Sequence, residues 1–377
     1  MSDILYMDFE TLSICNIKKS GADAYSRHPS TDIMCLGFAF DEGPVELWTP
    51  IDGPLDKRIH EHLSAGKKVV GHNIGGFEIP VWAHVGVRKY GFPSLKIEQC
   101  YDTMIQAYSM NLPGALADAA PAAGLTEQKD SVGNRIMLQL SQPRQIEENG
   151  CVFCAGDGCE ECFGTGDGIV WWEQGKAQDK FEKLYAYCKQ DIEVERKLYK
   201  RLTKLSEKEQ KLWVLDHKIN QRGVQIDLKD VKTAIQLVKY EKIRLDTEMK
   251  RVTGGAVITC TATGQLTDWL KGQLEGVEVN GVTKADVSML LGEHTLPSRV
   301  RSALLLRQEA AKSSTAKLEA MIAGVCRDGR LRGMFQFLGA GATGRWAGRR
   351  VQLQNLPRPN LSESEINSVF EILENVK

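Results

Sequence analysis

Residues Ile4–Phe9 form a short, mostly apolar run, and two acids, Asp8 and Glu10, flank its last residue Phe9. A run of this length reads as a buried strand. Side chains alternate across a strand, so residues two apart share a face. Two carboxylates therefore project together from the strand's end, where they repel each other unless a cation sits between them. The alternative is a strand end with two solvated acids. Met34–Phe40 reads as a second strand, and Lys67–Gly71 as a third apolar run. Phe77–His84, Tyr101–Met110 and Lys180–Leu202 have helical spacing. Strands alternating with helices predict an α/β domain over residues 1–205.

The character changes from about Leu205. Long charged helical segments span Ser206–Gln221, Leu228–Thr253 and Arg299–Cys326, with a Gly/Thr-rich stretch at Gly254–Glu293. The chain of 377 residues is long enough for two or three domains. No apolar run reaches membrane-spanning length and no signal segment opens the chain, so no membrane association and a cytoplasmic protein are expected. Ten cysteines then argue for thiols or metal ligands, not a disulfide framework. The net charge is −1, yet Arg299–Arg358 holds twelve Lys/Arg against three acids, a balance of +9 that leaves −10 elsewhere. A basic stripe suits phosphate contacts, and an acidic remainder suits divalent cations.

Two further elements can join the acid pair. Tyr187 and Asp191 lie four apart in a helical segment, hence on one helix face, where the carboxylate can meet a metal and the phenol can orient a water. In Gly71–Trp82, Asn73 follows a strand and Glu78 opens a helix, with Pro80 in the first turn. Asp102, in Tyr-Asp-Thr, is an alternative acid to Glu78, although N-capping of the Tyr101–Met110 helix accounts for it better. Separately, Cys151-x-x-Cys154-x4-Cys159-x-x-Cys162 supplies two thiolate knuckles, with glycines at 156, 158, 164 and 166 for tight turns. Four thiolates suit one structural Zn²⁺ in an inserted module over 147–168. An iron–sulfur cluster, a redox pair and free thiols are the alternatives.

Taken in order, Asp8-x-Glu10, Asn73…Phe77-Glu78 and Tyr187-x-x-x-Asp191 resemble the tyrosine-containing branch of the DEDD 3′–5′ exonucleases. The resemblance implies an RNase H-like α/β fold and two Mg²⁺ or Mn²⁺ ions. Asp8, Glu10 and Asp191 would hold one ion, Asp8 would bridge to the second, and Tyr187 would position the attacking water. The chain departs from the pattern at Glu78, which lies five residues after Asn73 where the family has an Asp four residues on.

Leu212–Asp227 is similar to the start of the family A polymerase domain, and Arg307–Leu318 resembles a thumb helix that follows the primer–template backbone. Ala342-Thr-Gly-Arg-Trp-Ala-Gly-Arg-Arg-Val-Gln-Leu-Gln-Asn-Leu-Pro357 resembles the T-G-R-x-S-S-x-x-P-N-L-Q-N-I-P segment of family A DNA polymerases, in a phage-type variant. The resemblance implies that Asn73, Arg307, Lys312, Lys317, Arg345, Arg349, Arg350, Gln354 and Asn355 contact DNA. Minor-groove acceptors let Arg and Gln test pairing geometry without reading sequence.

The sequence thus reads as the N-terminal part of a phage replicative polymerase. An exonuclease domain at 1–205 is followed by a thumb and the start of the palm at 206–358, then a truncated segment at 359–377. Expected partners are single-stranded 3′ ends, primer–template duplex and a separate palm/fingers polypeptide, in an infected host's cytoplasm. The chain alone is expected to excise nucleotides and not to polymerise. A non-catalytic DNA-binding subunit and an RNA-trimming nuclease of the DEDD superfamily are the alternatives.

Overall fold

The computed structural model describes residues 3–126, 130–292, 296–311, 315–341, 343–356 and 361–375, with backbone only at Ser131 and residues 373–375. The chain divides into two compact units: Met1–Gln225 with Ala323–Gln354, and Ile226–Ile322 with Asn355–Lys377.

The first unit is built on a mixed five-stranded sheet of β1 (Ile4–Leu12), β2 (Asp32–Phe40), β3 (Glu46–Trp48), β4 (Lys68–Gly71) and β5 (Cys100–Asp102), in the order β3-β2-β1-β4-β5. β2 runs antiparallel to β1 and β3, while β4 runs parallel to β1 and β5. The strand carrying the acid pair is therefore central. Its odd residues Leu5, Met7 and Phe9 join the largest core cluster, with Leu36, Ile59, Val69 and Trp82. Tyr6, on the opposite face, packs with Ile192 and Tyr199 of the helix Gln178–Arg201. Alternation then carries Asp8 and Glu10 to that same helix-covered face. A glycine permits the close approach: a Cβ at Gly37, the β2 partner of Asp8, would lie 2.8 Å from Cys188 Sγ.

Several elements differ from their sequence reading. Phe77–His84 is not one regular helix: Glu78–Val81 is α-helical, Trp82–Gly86 is a π turn, and Val87–Tyr90 resumes the helix. Tyr101 lies in β5, and the helix starts after it at Thr103, capped by Asp102. The segment from Arg299 forms two helices, Ser298–Ala310 and Ala316–Gly324. The Gly/Thr-rich stretch holds two more, Thr263–Gln273 and Lys284–Gly292, which its mixed composition did not single out.

Three short antiparallel pairings complete the first unit. β6 (Gln145–Glu147) and β7 (Gly168–Val170) close the base of the cysteine module. β8 (Val224–Gln225) pairs with β9 (Arg330–Leu331), and β10 (Phe335–Ala340) with β11 (Arg345–Gly348). Gly223, at φ +68, makes the turn from the helix Glu207–Arg222 into β8. In the second unit, the helix Leu228–Thr253 packs Leu245, Met249 and Val252 against Leu266, Leu270, Val300 and Leu304.

Candidate active site and metal centres

β1, the β4–helix turn, the end of β5 and the helix Gln178–Arg201 bring six carboxyl groups into one region. Glu10, Glu78, Asp102, Asp191 and Glu195 are all buried, and Asp8 is partly exposed. Ligand atoms of Asp8, Glu10 and Cys188 lie within 4.8 Å of one another. Glu78 is hydrogen-bonded to Asp8, and burial together with the Asp8 charge holds its carboxyl well above the usual carboxylate range. One proton must be shared between two carboxyls bonded in this way, unless a cation replaces it. The Tyr187 phenol lies beside Asp191 and is kept neutral, first by burial and then by the Asp191 charge.

The extra residue before Glu78 is absorbed locally. Asn73 adopts a left-handed backbone at φ +63, and the Gly76 and Phe77 amides both return to its carbonyl, at 2.8 and 3.0 Å. A Cβ at Gly76 would strike the Asn73 side chain at 2.3 Å, so this tight turn requires glycine. The longer loop thereby still delivers a carboxyl to Asp8. Asp102 accepts from Met104 N as a helix cap and also from Asn73 N, both at 2.9 Å. It braces the turn that carries Glu78.

Two residues here were not singled out from the sequence. Glu195 lies one turn beyond Asp191, accepts the His72 amide at 2.9 Å, and is held above its ordinary pKa by burial and then by Asp8 and Glu78. Its signal was the four-residue step from Asp191 on the same helix face. Cys188 donates to the Asp8 carbonyl at 3.8 Å, and the neighbouring Cys35 thiol and burial push its thiol up, so it meets the acids as a neutral thiol. Its signal was its place beside Tyr187.

A cleft of about 430 Å³ opens beside these groups, lined by Asp8, Glu10, Tyr187, Tyr25, Phe77 and Met137 among others. That volume falls in the range of small-ligand sites. A second cleft of equal volume is lined by Asn73, Asp102, Asp216, Asn220, Arg349 and Arg350 among others.

At the cysteine module, three Sγ···Sγ separations, Cys151–Cys159, Cys154–Cys162 and Cys159–Cys162, are all 3.7 Å. Tetrahedral thiolates about 2.3 Å from a zinc ion lie about 3.8 Å apart, so the donor set fits that ion. Backbone N–H groups of Cys159 and Gly166, at 3.1 and 3.2 Å from Cys162 Sγ, bring its thiol down to about 6.

The residues expected at DNA are distributed over both units. Arg345, Arg349, Arg350 and Gln354 belong to the first, and Arg307, Lys317 and Asn355 to the second. Lys312 lies outside the described residues. Arg345 is exposed at the start of β11, and the next residue, Trp346, donates its indole N–H to Asp216 Oδ1 at 2.7 Å. Asn220 ties the same helix to β10, donating to the Phe335 carbonyl and accepting its amide, each at 2.9 Å. The Arg350 guanidinium is tucked against Gly21, where even a Cβ would collide with it. Lys317 Nζ donates to the Asn355 carbonyl at 3.0 Å, and Arg307 Nε to the Val282 carbonyl at 3.3 Å.

In sequence the chain is similar to a phage DNA polymerase and in fold to a Pol I polymerase domain, which supports a family A polymerase-like protein. It is 34% identical, over 362 residues and 95% of its length, to the DNA polymerase of Bacillus phage SP02. It spans about half of that relative, 52% of its length. Among solved structures it resembles the POL domain of Pol1 from M. smegmatis in complex with DNA primer-template and dNTP, with a TM-score of 0.53 and 15% identity, over 94% of this chain and 53% of that one. No family model matches the sequence. Among the described residues, no helix is long and apolar enough to cross a membrane.

Proposed function

We propose that the first unit contains an RNase H-like 3′–5′ proofreading exonuclease of a DNA polymerase, active on single-stranded or frayed 3′ ends. The observation that carries this reading is the convergence of Asp8, Glu10, Glu78, Asp191 and Tyr187 beside one open cleft. The exonuclease domain spans residues 1–205, with 147–168 as a structural zinc insertion. Residues 206–358 form the thumb and the start of the palm, and 359–377 a further polymerase segment.

Buried carboxylates that repel one another are suited to divalent cations, and oxygen ligands suit Mg²⁺ or Mn²⁺. Such ions, when bound, supply an activated water and stabilise the leaving 3′-oxygen. Asp8, Glu10 and Asp191 would hold one ion, and Asp8 with Glu78 the other. Tyr187, kept neutral beside Asp191, would orient the water toward the scissile phosphate. Phe77 and Met137 would flank the terminal nucleotide in the cleft. Arg345, Arg349, Gln354 and the second unit's Arg307, Lys312, Lys317 and Asn355 would follow primer–template DNA. Arg350, turned toward Gly21, would act by holding this segment in place.

The test is a 5′-labelled single strand incubated with Mg²⁺. A ladder of shortened products, lost on Glu78→Gln, is expected; an oligonucleotide left intact by the wild type would contradict the proposal.

A further inference from the structure

A second, smaller cleft of about 260 Å³ lies at the foot of the β6–β7 hairpin, lined by Arg144, Trp171, Trp172, Lys176 and Lys180, with Glu173 and Asp179 at its acidic side. Lys180 Nζ sits 3.9 Å from the Trp172 ring centroid, and the Arg144 guanidinium carbon 5.7 Å from it. Lys176 is neutralised by Glu173 at 2.8 Å, which leaves Arg144 and Lys180 as the cations that face an incoming anion. Among the described residues the buried indole N–H of Trp172 has no acceptor, and a bound oxygen would accept from it. Trp171, partly exposed, supplies a second aromatic surface.

The cleft is connected to the proposed active site through one stretch of chain. Met137, Leu138, Ser141 and Gln142 line the Asp8 cleft, and Arg144, two residues further on, lines this one. Lys180 also donates to Gln139 on the same helix, at 3.1 Å. Aromatic rings interleaved with cations, in a space that takes one unit at a time, match a nucleotide of a single strand: the base stacks, and the phosphate meets the guanidinium and ammonium.

We propose that this cleft is a single-stranded-DNA subsite that holds an upstream nucleotide of the strand whose 3′ end lies beside Asp8. The base would stack on Trp171, and its phosphate would lie between Arg144 and Lys180. The proposal rests on the exonuclease reading above. It predicts that long strands depend on the cleft and that dinucleotides, too short to fill both clefts at once under this proposal, do not.

The test measures steady-state hydrolysis of dT10 and of the dinucleotide dTpdT by the full chain with Mg²⁺, for wild type, Trp171→Ala, Trp171→Tyr and Arg144→Ala. The expected result is a rise in KM for dT10 of about tenfold in the two alanine variants. Their kcat and their dinucleotide hydrolysis should be unchanged, and Trp171→Tyr should restore the KM. An unchanged KM for dT10 would overturn the subsite, as would an equal loss on both substrates, which marks a structural role. If the wild type cleaves neither substrate, the exonuclease reading has failed. The cleft is then decided by fluorescence anisotropy with labelled dT10: about tenfold weaker binding by both alanine variants upholds it, and equal binding overturns it.

Discussion

The Asp102 carboxylate accepts the backbone N–H of Asn73 at 2.9 Å, across 29 residues of sequence, while capping its own helix through Met104. One buried acid thus fixes the turn that delivers Glu78. Burial pushes the Asp102 carboxyl up to about 6, partly offset by the N–H groups of Asn73, Gly75, Met104 and Ile105. In the unfolded chain an aspartate titrates near 4. Between those values the folded chain holds more protons than the unfolded one, so stability falls as pH rises. The cost, about 3 kcal/mol for a shift of about two units, is fully present above pH ~6. Asp102→Asn should flatten this decline in urea unfolding between pH ~4 and ~6, and an unchanged slope would contradict it.

Glu78 and Glu195 are shifted in the same direction, for the same cause. Without a bound cation, high pH forces charge into their site. Mg²⁺ or Mn²⁺ should therefore raise Tm more at pH ~8 than at pH ~5, where protons compete for the carboxylates. Glu78→Gln should shrink the high-pH increment. A metal response independent of pH would show that these acids are not its ligands.

One zinc ion per chain is expected, with Cys159→Ser lowering the content well below one by elemental analysis. Protease sensitivity should rise within residues 147–168, whose backbone is otherwise held mainly by the β6–β7 base and by turns around the sulfurs. Full zinc content in that variant would exclude the tetrathiolate site.

Gly37→Ala places a methyl 2.8 Å from Cys188 Sγ, at the seam between β2 and the helix that carries Tyr187 and Asp191. Overpacking of this kind costs about 1–3 kcal/mol. Thermal unfolding should register the loss, and Gly37→Ala combined with Cys188→Ala should recover part of it. No loss in the single variant would mean that the helix can shift without cost.

Much of this architecture was legible because short-range physics wrote it. The run Ile4–Phe9 was apolar enough to read as a buried strand, which the sheet order puts at the centre, and strand alternation placed Asp8 with Glu10. Helical spacing placed Tyr187 with Asp191, and two knuckles announced the cysteine module. Long-range bracing was not legible. Asp102 looked like a helix cap, which it is, but its bond to Asn73 depends on β5 lying parallel beside β4. Glu195 and Cys188 are ordinary helix residues until the sheet packs against them. The clamp of Asp216 on Trp346, 130 positions apart, likewise left no local trace.

The most direct test of the central claim is the rate at which the chain releases the 3′-terminal nucleotide from a single strand carrying a fluorescent terminal base. Wild type with Mg²⁺ should release it, and Asp8→Ala should slow release by well over about a hundredfold while still binding the strand. Equal rates in wild type and Asp8→Ala would contradict the assignment of the active site to these carboxylates.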